Sequence, residues 1–389
     1  MSNLLDLASI VLTPTAYNNG EALCIKPDDA SGDFDFSRAT EATRVNSQGL
    51  VETIGINLPR INYEGFSYDG SGNVVPDSGC GSWLFEPQST NLITQSELFS
   101  DSSWSANSDV IIDKGYLAPD GTNNASKITA NGANAKVAIF LVGTGDMTKS
   151  IYARTVSGTG TIYLGEGNTG GVLSNVTEQW QRFEVTNTLN NFYGADFRGA
   201  STLTEVIIWG AQFEDNISYA TSYIPTSGST VTRNQDLCTN GGSLASINST
   251  EGVLYAEVSN VSKEDYSNIA LTDGTNSQRV QIYFNKDALS LMFFVRVDGV
   301  LLATHTVSSS GINYEDTNKI AIKYKTNDIS FWLNGIKVGT STSGTLIPNK
   351  FTQLGFNSGA GGAFYGKTKA VAVWKEALSD SELQSLTTI

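Results

Sequence analysis

The chain has 389 residues, of which 40% are hydrophobic, 10% aromatic and only 16% charged. This apolar content can build packed cores, and the 38 glycines together with the low charged fraction are typical of strands joined by turns, which excludes a mostly helical protein. The formal net charge of −15 disfavours nucleic acid and anionic membranes as partners, and one histidine, His305, leaves little material for a Ser-His-Asp triad or a multi-histidine metal site.

Residues 1–95 form a first segment with weak strand patterns. An apolar run over residues 4–12 predicts one short helix before Pro14, and short extended pieces such as residues 49–56 follow between glycines. Because few runs exceed five residues, the segment is not expected to bury a core alone. We expect it to pack against a neighbouring domain, another subunit or a larger assembly, as a docking and oligomerisation segment.

Residues 96–235 carry clear strand signals. β-Branched and aromatic runs are separated at short spacing by Gly, Asn and Thr, and these runs are residues 137–142, 150–156, 161–164, 180–186 and 205–213. Several strands of this length predict an antiparallel sandwich or jelly roll. The exit from this segment contains Pro225, which cannot pair within a central strand.

Residues 236–389 are predicted to form a second antiparallel sandwich. Asp298-Gly299 and Asn334-Gly335 each stand between two strand-like runs, and such dipeptides favour hairpins because both turn positions need a positive φ. Ser379 and Glu382 have capping-box spacing, which predicts a short terminal helix. The chain is therefore predicted to be all-β, with an irregular N-terminal docking segment, two antiparallel β-sandwich (jelly-roll) domains and a short C-terminal helix.

The three cysteines and the N-terminus bear on the compartment. Cys24, Cys80 and Cys238 match no zinc or redox spacing, which favours reduced thiols made in a reducing cytosol, with a Cys24–Cys80 bridge as the alternative. No basic region precedes the first apolar run, so no signal peptide is expected. No apolar stretch of the sequence is long enough to span a membrane.

Ordered motifs along the chain resemble known families. The first segment is similar to the N-terminal signature of many bacteriophage virion proteins, often tail or fibre proteins, in residues 36–46 (FSRATEATRVN), 49–52 (GLVE), 57–63 (NLPRINY) and 84–92 (LFEPQSTNL). The second resembles carbohydrate-binding-like jelly rolls in residues 180–183, 209–214, 221–228 and 231–233. The third resembles a concanavalin A-like, laminin-G-type sandwich in residues 331–338 and 371–383.

The resemblance implies a phage virion structural protein, assembled in the host cytoplasm and exposed on the particle surface. It implies contacts with other virion proteins through the first segment, a host surface polysaccharide or glycan as the ligand, and a homotrimer, since fibre-like phage proteins are typically trimers. It supplies no catalytic residues. Tail fibre or receptor-binding component is the favoured function, a decoration or spacer protein without glycan binding is the alternative, and a glycan depolymerase is the third.

Acid–base chemistry has little support in the sequence, so we expect no enzyme. Glycosidases with the concanavalin-like sandwich commonly carry a strand with the motif Glu-x-Asp-x-x-Glu, and this chain lacks that motif. The adjacent pairs Glu264-Asp265 and Glu315-Asp316 would point to opposite faces of a strand, so neither is a natural dyad. No cofactor is expected, but loops beginning at Asp101 and Asp273 could hold a structural Ca²⁺ ion, and the metal content stays open.

Strand parity predicts a binding surface on the jelly roll. Where Ile151 and Ala153 face one side of a strand, Tyr152 and Arg154 face the other, and the same argument applies to neighbouring strands. The resulting candidate glycan-binding residues are Tyr152, Arg154, Tyr163, Arg182, Asp196 and Arg198. An ordinary solvated outer face is the competing interpretation.

Aromatic side chains are the other candidate sugar platforms, because sugars stack their apolar faces on exposed rings. Trp209, Trp332 and Trp374 lie inside apolar runs and are expected in the core. Trp104, in a loop context, is the best candidate for partial exposure, with burial equally open. His305 is expected to be a partly buried strand residue.

Overall fold

The computed structural model describes residues 2–14, 17–18, 21–22, 24–68, 74–76, 79–261 and 266–389. It is 46% strand and 4% helix, which confirms the predicted all-β class with a short C-terminal helix. No helix within these ranges is long and apolar enough to cross a bilayer.

The elements follow the three segments of the sequence. The first contains α1 (Ser2–Leu7), β1 (Ile10–Leu12), β2 (Tyr17–Asn18), β3 (Glu21–Ala22), β4 (Asp35–Ser37), β5 (Ala42–Val45), β6 (Val51–Ile54), β7 (Arg60–Asn62), β8 (Phe66–Tyr68), β9 (Val74–Pro76), β10 (Ser82–Phe85) and β11 (Ser89–Asn91). The second contains β12 (Ser105–Ala106), β13 (Val110–Tyr116), β14 (Ala125–Ala130), β15 (Lys136–Phe140), β16 (Met147–Arg154), β17 (Gly160–Gly165), β18 (Leu173–Val176), β19 (Gln181–Asn187), β20 (Asn191–Asp196), β21 (Glu205–Asp215) and β22 (Val231–Arg233). The third contains β23 (Leu237–Thr239), β24 (Glu251–Asn260), β25 (Ser267–Thr272), β26 (Arg279–Asn285), β27 (Ser290–Val297), β28 (Val300–Val307), β29 (Asn318–Lys325), β30 (Ile329–Leu333), β31 (Ile336–Ser341), β32 (Gln353–Gly355), β33 (Gly366–Trp374) and α2 (Asp380–Thr387).

The second segment folds into an antiparallel sandwich, as predicted. Its two five-stranded sheets have the orders β12-β15-β20-β17-β18 and β13-β14-β21-β16-β19. Side chains from both sheets, among them Ile151, Ile162, Phe192 and Phe213, form one buried core between them. The alternation of apolar and polar residues along each strand decides which side chains enter that core.

The third segment is a second sandwich whose sheets have the orders β31-β30-β29-β24-β33-β10-β7 and β28-β27-β26-β25-β32. Ile282, Phe293, Phe331 and Val373 contribute to the core between the two sheets. Both predicted hairpin turns are confirmed: the φ values are 50° and 79° at Asp298-Gly299 and 50° and 82° at Asn334-Gly335.

The first segment supplies strands to the sandwich of the third. β1 and β10 pair with the edge of β33 that β24 leaves open, with Ile10 opposite Val373 and Trp83 opposite Thr368. Short strands cannot bury an apolar face alone, so they add to a sheet that already has one. The helix predicted over residues 4–12 ends at Leu7 because Ile10–Leu12 is drawn into this sheet.

Five charged side chains meet between the segments in what we call the ionic cluster: Arg38, Arg60, Glu86, Arg233 and Asp236, each at most 3% exposed. Asp236 accepts a hydrogen bond of 3.0 Å from Arg38 and pairs with Arg60. Glu86 pairs with Arg60 at 2.9 Å and with Arg233 at 3.3 Å. Three of these residues, Arg38, Arg60 and Glu86, lie in the motifs that resemble phage virion proteins, so those motifs contribute to a buried joint.

The structure decides two alternatives that the sequence left open, the Cys24–Cys80 bridge and the burial of Trp104. All three cysteines are free thiols, so no Cys24–Cys80 bridge forms: Cys24 and Cys238 are buried and Cys80 is exposed. Burial raises the pKa of Cys24 to about 12, which keeps this thiol protonated. Trp104 is only 4% exposed and packs on Phe99 with ring centroids 4.9 Å apart, so it is no sugar platform.

Helix α2 covers the outer face of the sheet that contains β33. Leu383 and Leu386 are buried there beside Trp374. The predicted capping box is confirmed, since the Ser379 side chain accepts from the backbone N–H of Glu382 and the Glu382 side chain accepts from the backbone N–H of Ser379.

Removing this cap should destabilise the third segment measurably. We expect Ser379→Ala to lower the free energy of unfolding by about 1 kcal/mol, because the orphan N–H of the first helical turn loses its acceptor. Urea unfolding measures the loss, and Ser385→Ala, an exposed serine in the same helix, is the matched control with little expected change. Equal losses in both variants would contradict the role of the cap.

Candidate functional site

The six predicted jelly-roll residues divide between two surfaces. Five of them lie opposite the core-facing residues of their strands, as parity predicted, whereas Arg198 lies in the loop after β20. The two sheets have their outer faces on opposite sides of the sandwich. One group is Tyr152, Arg154 and Arg182, and the other is Tyr163, Asp196 and Arg198. They therefore do not form one continuous surface, and their role in glycan binding stays a prediction.

The first group adjoins a cavity of 470 Å³ between the jelly roll and the first segment. Tyr152 packs edge-on against Trp209 with ring centroids 5.4 Å apart, and the Arg182 guanidinium lies 5.4 Å from the centre of the Tyr152 ring. Burial raises the pKa of Tyr152, so its hydroxyl stays neutral. Arg154 lies over Trp180 at 5.4 Å, so the charged members of this group already contact rings of their own module.

The second group is committed to its own loop. Asp196 is fully buried and pairs with Arg198 at 2.7 Å. Burial alone would raise the pKa of Asp196, but hydrogen bonds from Arg198 and from the backbone N–H of Asn168 outweigh it and lower the pKa. Tyr163 is only 8% exposed. This face therefore offers little of the predicted set to a ligand.

A different surface combines aromatic rings with polar side chains, the groups that contact a bound ligand. It lies on the outer face of the sheet β28-β27-β26-β25-β32. Ile282 and Phe284 enter the core from β26, so Gln281 and Tyr283 point outward, and Phe294 points outward from β27 by the same alternation. The resulting C-terminal groove has a volume of 480 Å³ and is lined by Tyr266, Asn268, Arg279, Gln281, Tyr283, Phe294, Arg296 and residues 358 and 360–362.

Three aromatic rings run along the floor of the C-terminal groove. Tyr266 and Tyr283 stack with centroids 5.8 Å apart and an interplanar angle of 28°. Tyr283 and Phe294 are also 5.8 Å apart, tilted by 57°. Tyr266 is 38% exposed, and the other two rings are half-buried. These rings form an apolar platform that is open to solvent along one side.

Polar side chains stand beside this platform in fixed positions. Asn268 donates a hydrogen bond of 2.7 Å to the Gly362 carbonyl and accepts one from the Gln281 amide nitrogen, which ties the sheet to the loop that walls the groove. Gln281 is 2% exposed, yet its Oε1 has no hydrogen-bond partner. Leaving a buried polar atom unpartnered costs about 1–3 kcal/mol, so such an atom in a groove indicates a ligand acceptor position.

Sequence parity could have found part of this groove. Residues 279–285 and 290–297 alternate as clearly as the jelly-roll strands do, and that alternation places Tyr283 and Phe294 on one outer face. Nothing in the sequence marks Tyr266 or the loop after β32, because both reach the groove through the tertiary fold.

The remaining chemical candidates gain no support from the geometry. Glu264 and Asp265 lie outside the described residues, while Asp316 is exposed and accepts from Asn313 at 2.9 Å. His305 is half-buried, and its ring is parallel to Phe331 within 17°.

Metal ligands do not gather in the part of the chain that the structure describes, where no group of three or more His, Cys, Asp or Glu side chains could hold an ion. Asp101 accepts from the backbone N–H of Ser103, and Asp273 accepts from that of Thr275. Both carboxylates thus close their own turns, and a structural Ca²⁺ ion in either loop stays a prediction.

Comparison with known proteins supports a lectin-like fold for the third segment. The family model of the concanavalin A-like lectin/glucanases superfamily matches residues 254–384, a range that contains the C-terminal groove. No curated protein matches the chain.

Solved structures resemble parts of the chain. The CBM40 module of the Ruminococcus gnavus IT-sialidase bound to α2,3-sialyllactose is 17% identical, covers 36% of this chain and 83% of its own, and has a TM-score of 0.31. Domain 4 of AbnA, a GH43 extracellular arabinanase from Geobacillus stearothermophilus, in complex with arabinotriose, is 10% identical over 45% of this chain and 84% of its own, at 0.32. A heptameric SAP-like pentraxin from Limulus polyphemus is 14% identical over 36% and 70%, at 0.27. These scores are too low to transfer a ligand to this chain.

Proposed function

We propose that the chain is a phage virion component that binds glycans on the host surface non-covalently, and that the C-terminal groove is its glycan site. The observation that carries the proposal is the combination of a three-ring platform with the buried, unpartnered Oε1 atom of Gln281. Sugar rings have apolar faces that pack on aromatic side chains, and their hydroxyls donate to acceptors at the rim. A few polar groups on an apolar platform are the general design of a ligand site.

The size of the groove suits this role. Tyr283, Gln281 and Arg279 point outward at alternate positions of one strand, so they span about 13 Å at roughly 3.3 Å per residue. One or two sugar rings extend over that length. A single contact of this kind is weak, and a homotrimer that engages one cell surface with several copies multiplies it.

The first segment has a separate part in the proposal. It attaches the chain to other virion proteins, while the groove acts by binding and not by catalysis. The motifs of the first segment contribute buried charged residues to the ionic cluster. This burial supports a rigid joint that holds both modules on the particle. The alternatives are a decoration protein and a glycan depolymerase, and the following experiment distinguishes them from the proposed function.

The test is a glycan-array and whole-cell binding assay on the purified full chain. We expect Tyr283→Ala and Phe294→Ala each to weaken binding by about tenfold or more, because a lost stacking platform of about 1.4 kcal/mol corresponds to that factor. Phe140→Ala, an aromatic residue that is 66% exposed on the jelly roll, is the matched control and should bind as the original chain does.

The other outcomes decide between the alternatives. Binding that survives both groove variants but is lost in Tyr152→Ala/Tyr163→Ala would overturn the groove and move the site to the jelly roll. Absence of binding by a folded, assembled oligomer would overturn the proposal and leave the decoration protein ahead. Release of shortened glycans during the assay would overturn the non-catalytic role.

A further inference from the structure

Two arginines face each other at one end of the C-terminal groove. Arg279 on β26 and Arg296 on β27 are direct cross-strand partners. Both side chains line the groove, and both are half-buried. Like charges directly opposite each other in an antiparallel pair destabilise the sheet. The fold therefore contains a cross-strand pair of like charges that lowers its stability.

Nothing in the described chain neutralises this pair. Neither guanidinium lies within ion-pair distance of a described carboxylate. The half-buried Arg154 and Arg182 also lack an ion pair with a described carboxylate, whereas the fully buried Arg38, Arg60 and Arg233 each have one. The Nε atoms of both arginines are buried without a hydrogen-bond partner. Among the described residues, the one hydrogen bond that either side chain makes is from Arg279 to the Asn276 amide oxygen at 3.1 Å.

The net negative charge of the protein makes the lack of a carboxylate partner at Arg279 and Arg296 informative. The sequence has 39 Asp and Glu residues against 24 Lys and Arg residues, so acidic partners are abundant. Even so, Asp287, an acidic group that contacts the rings of the groove, lies at the opposite end, where it accepts a hydrogen bond from the Tyr266 hydroxyl. Burial and the neighbouring Arg296 lower the pKa of Arg279, the effect expected of a cation whose charge is not compensated.

We propose, resting on the proposed glycan function, that the C-terminal groove selects acidic glycans and that Arg279 and Arg296 together bind the anionic group of the sugar. The ring of that sugar packs on Tyr283 and Phe294, and its hydroxyls donate to Gln281 Oε1. A carboxylate or a sulfate ester accepts two hydrogen bonds from guanidinium groups, so both groups share the chemistry required here. A bound anion also removes the repulsion between the two cations.

The position of Phe294 supports the same geometry. The Arg279 guanidinium lies 5.9 Å from the centre of the Phe294 ring, so charge and platform are contiguous. A sugar that packs on this ring therefore places a substituent at its edge beside the cations. A neutral sugar at the same place would leave both guanidinium groups desolvated without a counter-charge, which is unfavourable.

The experiment compares acidic glycans with neutral or less charged counterparts on one array, using the folded full chain. The probes are oligogalacturonate and its methyl ester, sialyllactose and lactose, and chondroitin sulfate and unsulfated chondroitin. We expect at least one acidic probe to bind about tenfold or more tightly than its less charged partner, with an affinity that falls as NaCl increases. The carboxylate and sulfate arms identify which anionic group is preferred.

Variants then locate the effect. Arg279→Gln/Arg296→Gln should lose about tenfold or more of the affinity for the acidic probe without weakening the binding of the neutral probe. Arg154→Gln, which removes an arginine over an aromatic ring on the jelly roll, is the matched control and should bind normally. The double variant should unfold at the same or a higher temperature than the original chain, since it removes a repulsion.

Each further outcome has a definite meaning. Acidic binding that the double variant retains overturns the inference. Binding that is equally tight for acidic and neutral probes, and that needs Tyr283 but not the arginines, overturns the inference and leaves the proposed function standing. Absence of binding to every acidic and neutral probe by the folded chain overturns both.

Discussion

Asp236→Asn should lower the free energy of unfolding by about 3–5 kcal/mol, the largest loss expected from any single polar substitution in the ionic cluster. The Asp236 carboxylate pairs with Arg38 and Arg60, whose side chains are fully buried. It also accepts a hydrogen bond of 2.8 Å from the backbone N–H of Glu86. The neutral amide has nearly the same shape, so the variant removes the charge. It leaves three buried cations with one remaining carboxylate, Glu86, which pairs with Arg60 and Arg233 but not with Arg38.

Urea unfolding followed by tryptophan fluorescence measures this loss. Asp298→Asn is the matched control, because Asp298 pairs with Lys350 at 2.7 Å on the surface, where an ion pair contributes at most about 1 kcal/mol. If Asp236→Asn and Asp298→Asn cost the same, the ionic cluster does not join the segments as described.

The second large effect concerns acid. We expect the chain to lose about 3 kcal/mol of stability between pH 4.5 and pH 2 through Glu86 alone. Burial would raise the pKa of Glu86, but Arg233 and Arg60 and the hydrogen bonds from Ser222 outweigh it and lower the pKa from 4.5 to about 2. A carboxyl with a depressed pKa in the folded state stabilises the protein above its unfolded pKa, and this contribution disappears as the pH falls through the folded value.

Another buried carboxyl works in the opposite direction and must be separated from this one. Burial raises the pKa of Glu214, so its contribution to stability increases on acidification, but that change is complete once the pH has reached 4.5. Below pH 4.5 other carboxyls with a lowered pKa, Asp196 among them, also lose their contribution to stability, so the contribution of Glu86 is the difference between the original chain and Glu86→Gln. Urea midpoints of the original chain and of Glu86→Gln, measured between pH 5 and pH 2, test the effect. A parallel decline in both proteins would contradict it.

Much of the architecture could be read from local sequence. The turns at Asp298-Gly299 and Asn334-Gly335, the capping box at Ser379 and the strands of both sandwiches depend on residues within a few positions of each other. The alternation along each strand also placed Tyr152 and Tyr163 outside the core between the two jelly-roll sheets, although Tyr163 is buried. The sequence left the burial of Trp104 open, because its polar neighbours indicated a loop but could not report that the ring packs on Phe99.

The sequence by itself therefore determined the all-β class, the hairpins, the terminal helix and the face of each strand, because these follow from backbone preferences and a two-residue period. Tertiary structure alone decided which strands are neighbours. It placed Tyr152 and Tyr163 on opposite surfaces and brought Arg38 to Asp236 across 198 positions. It also set the register that opposes Arg279 to Arg296. Sheet order and register arise from packing between distant segments, and no local pattern encodes them.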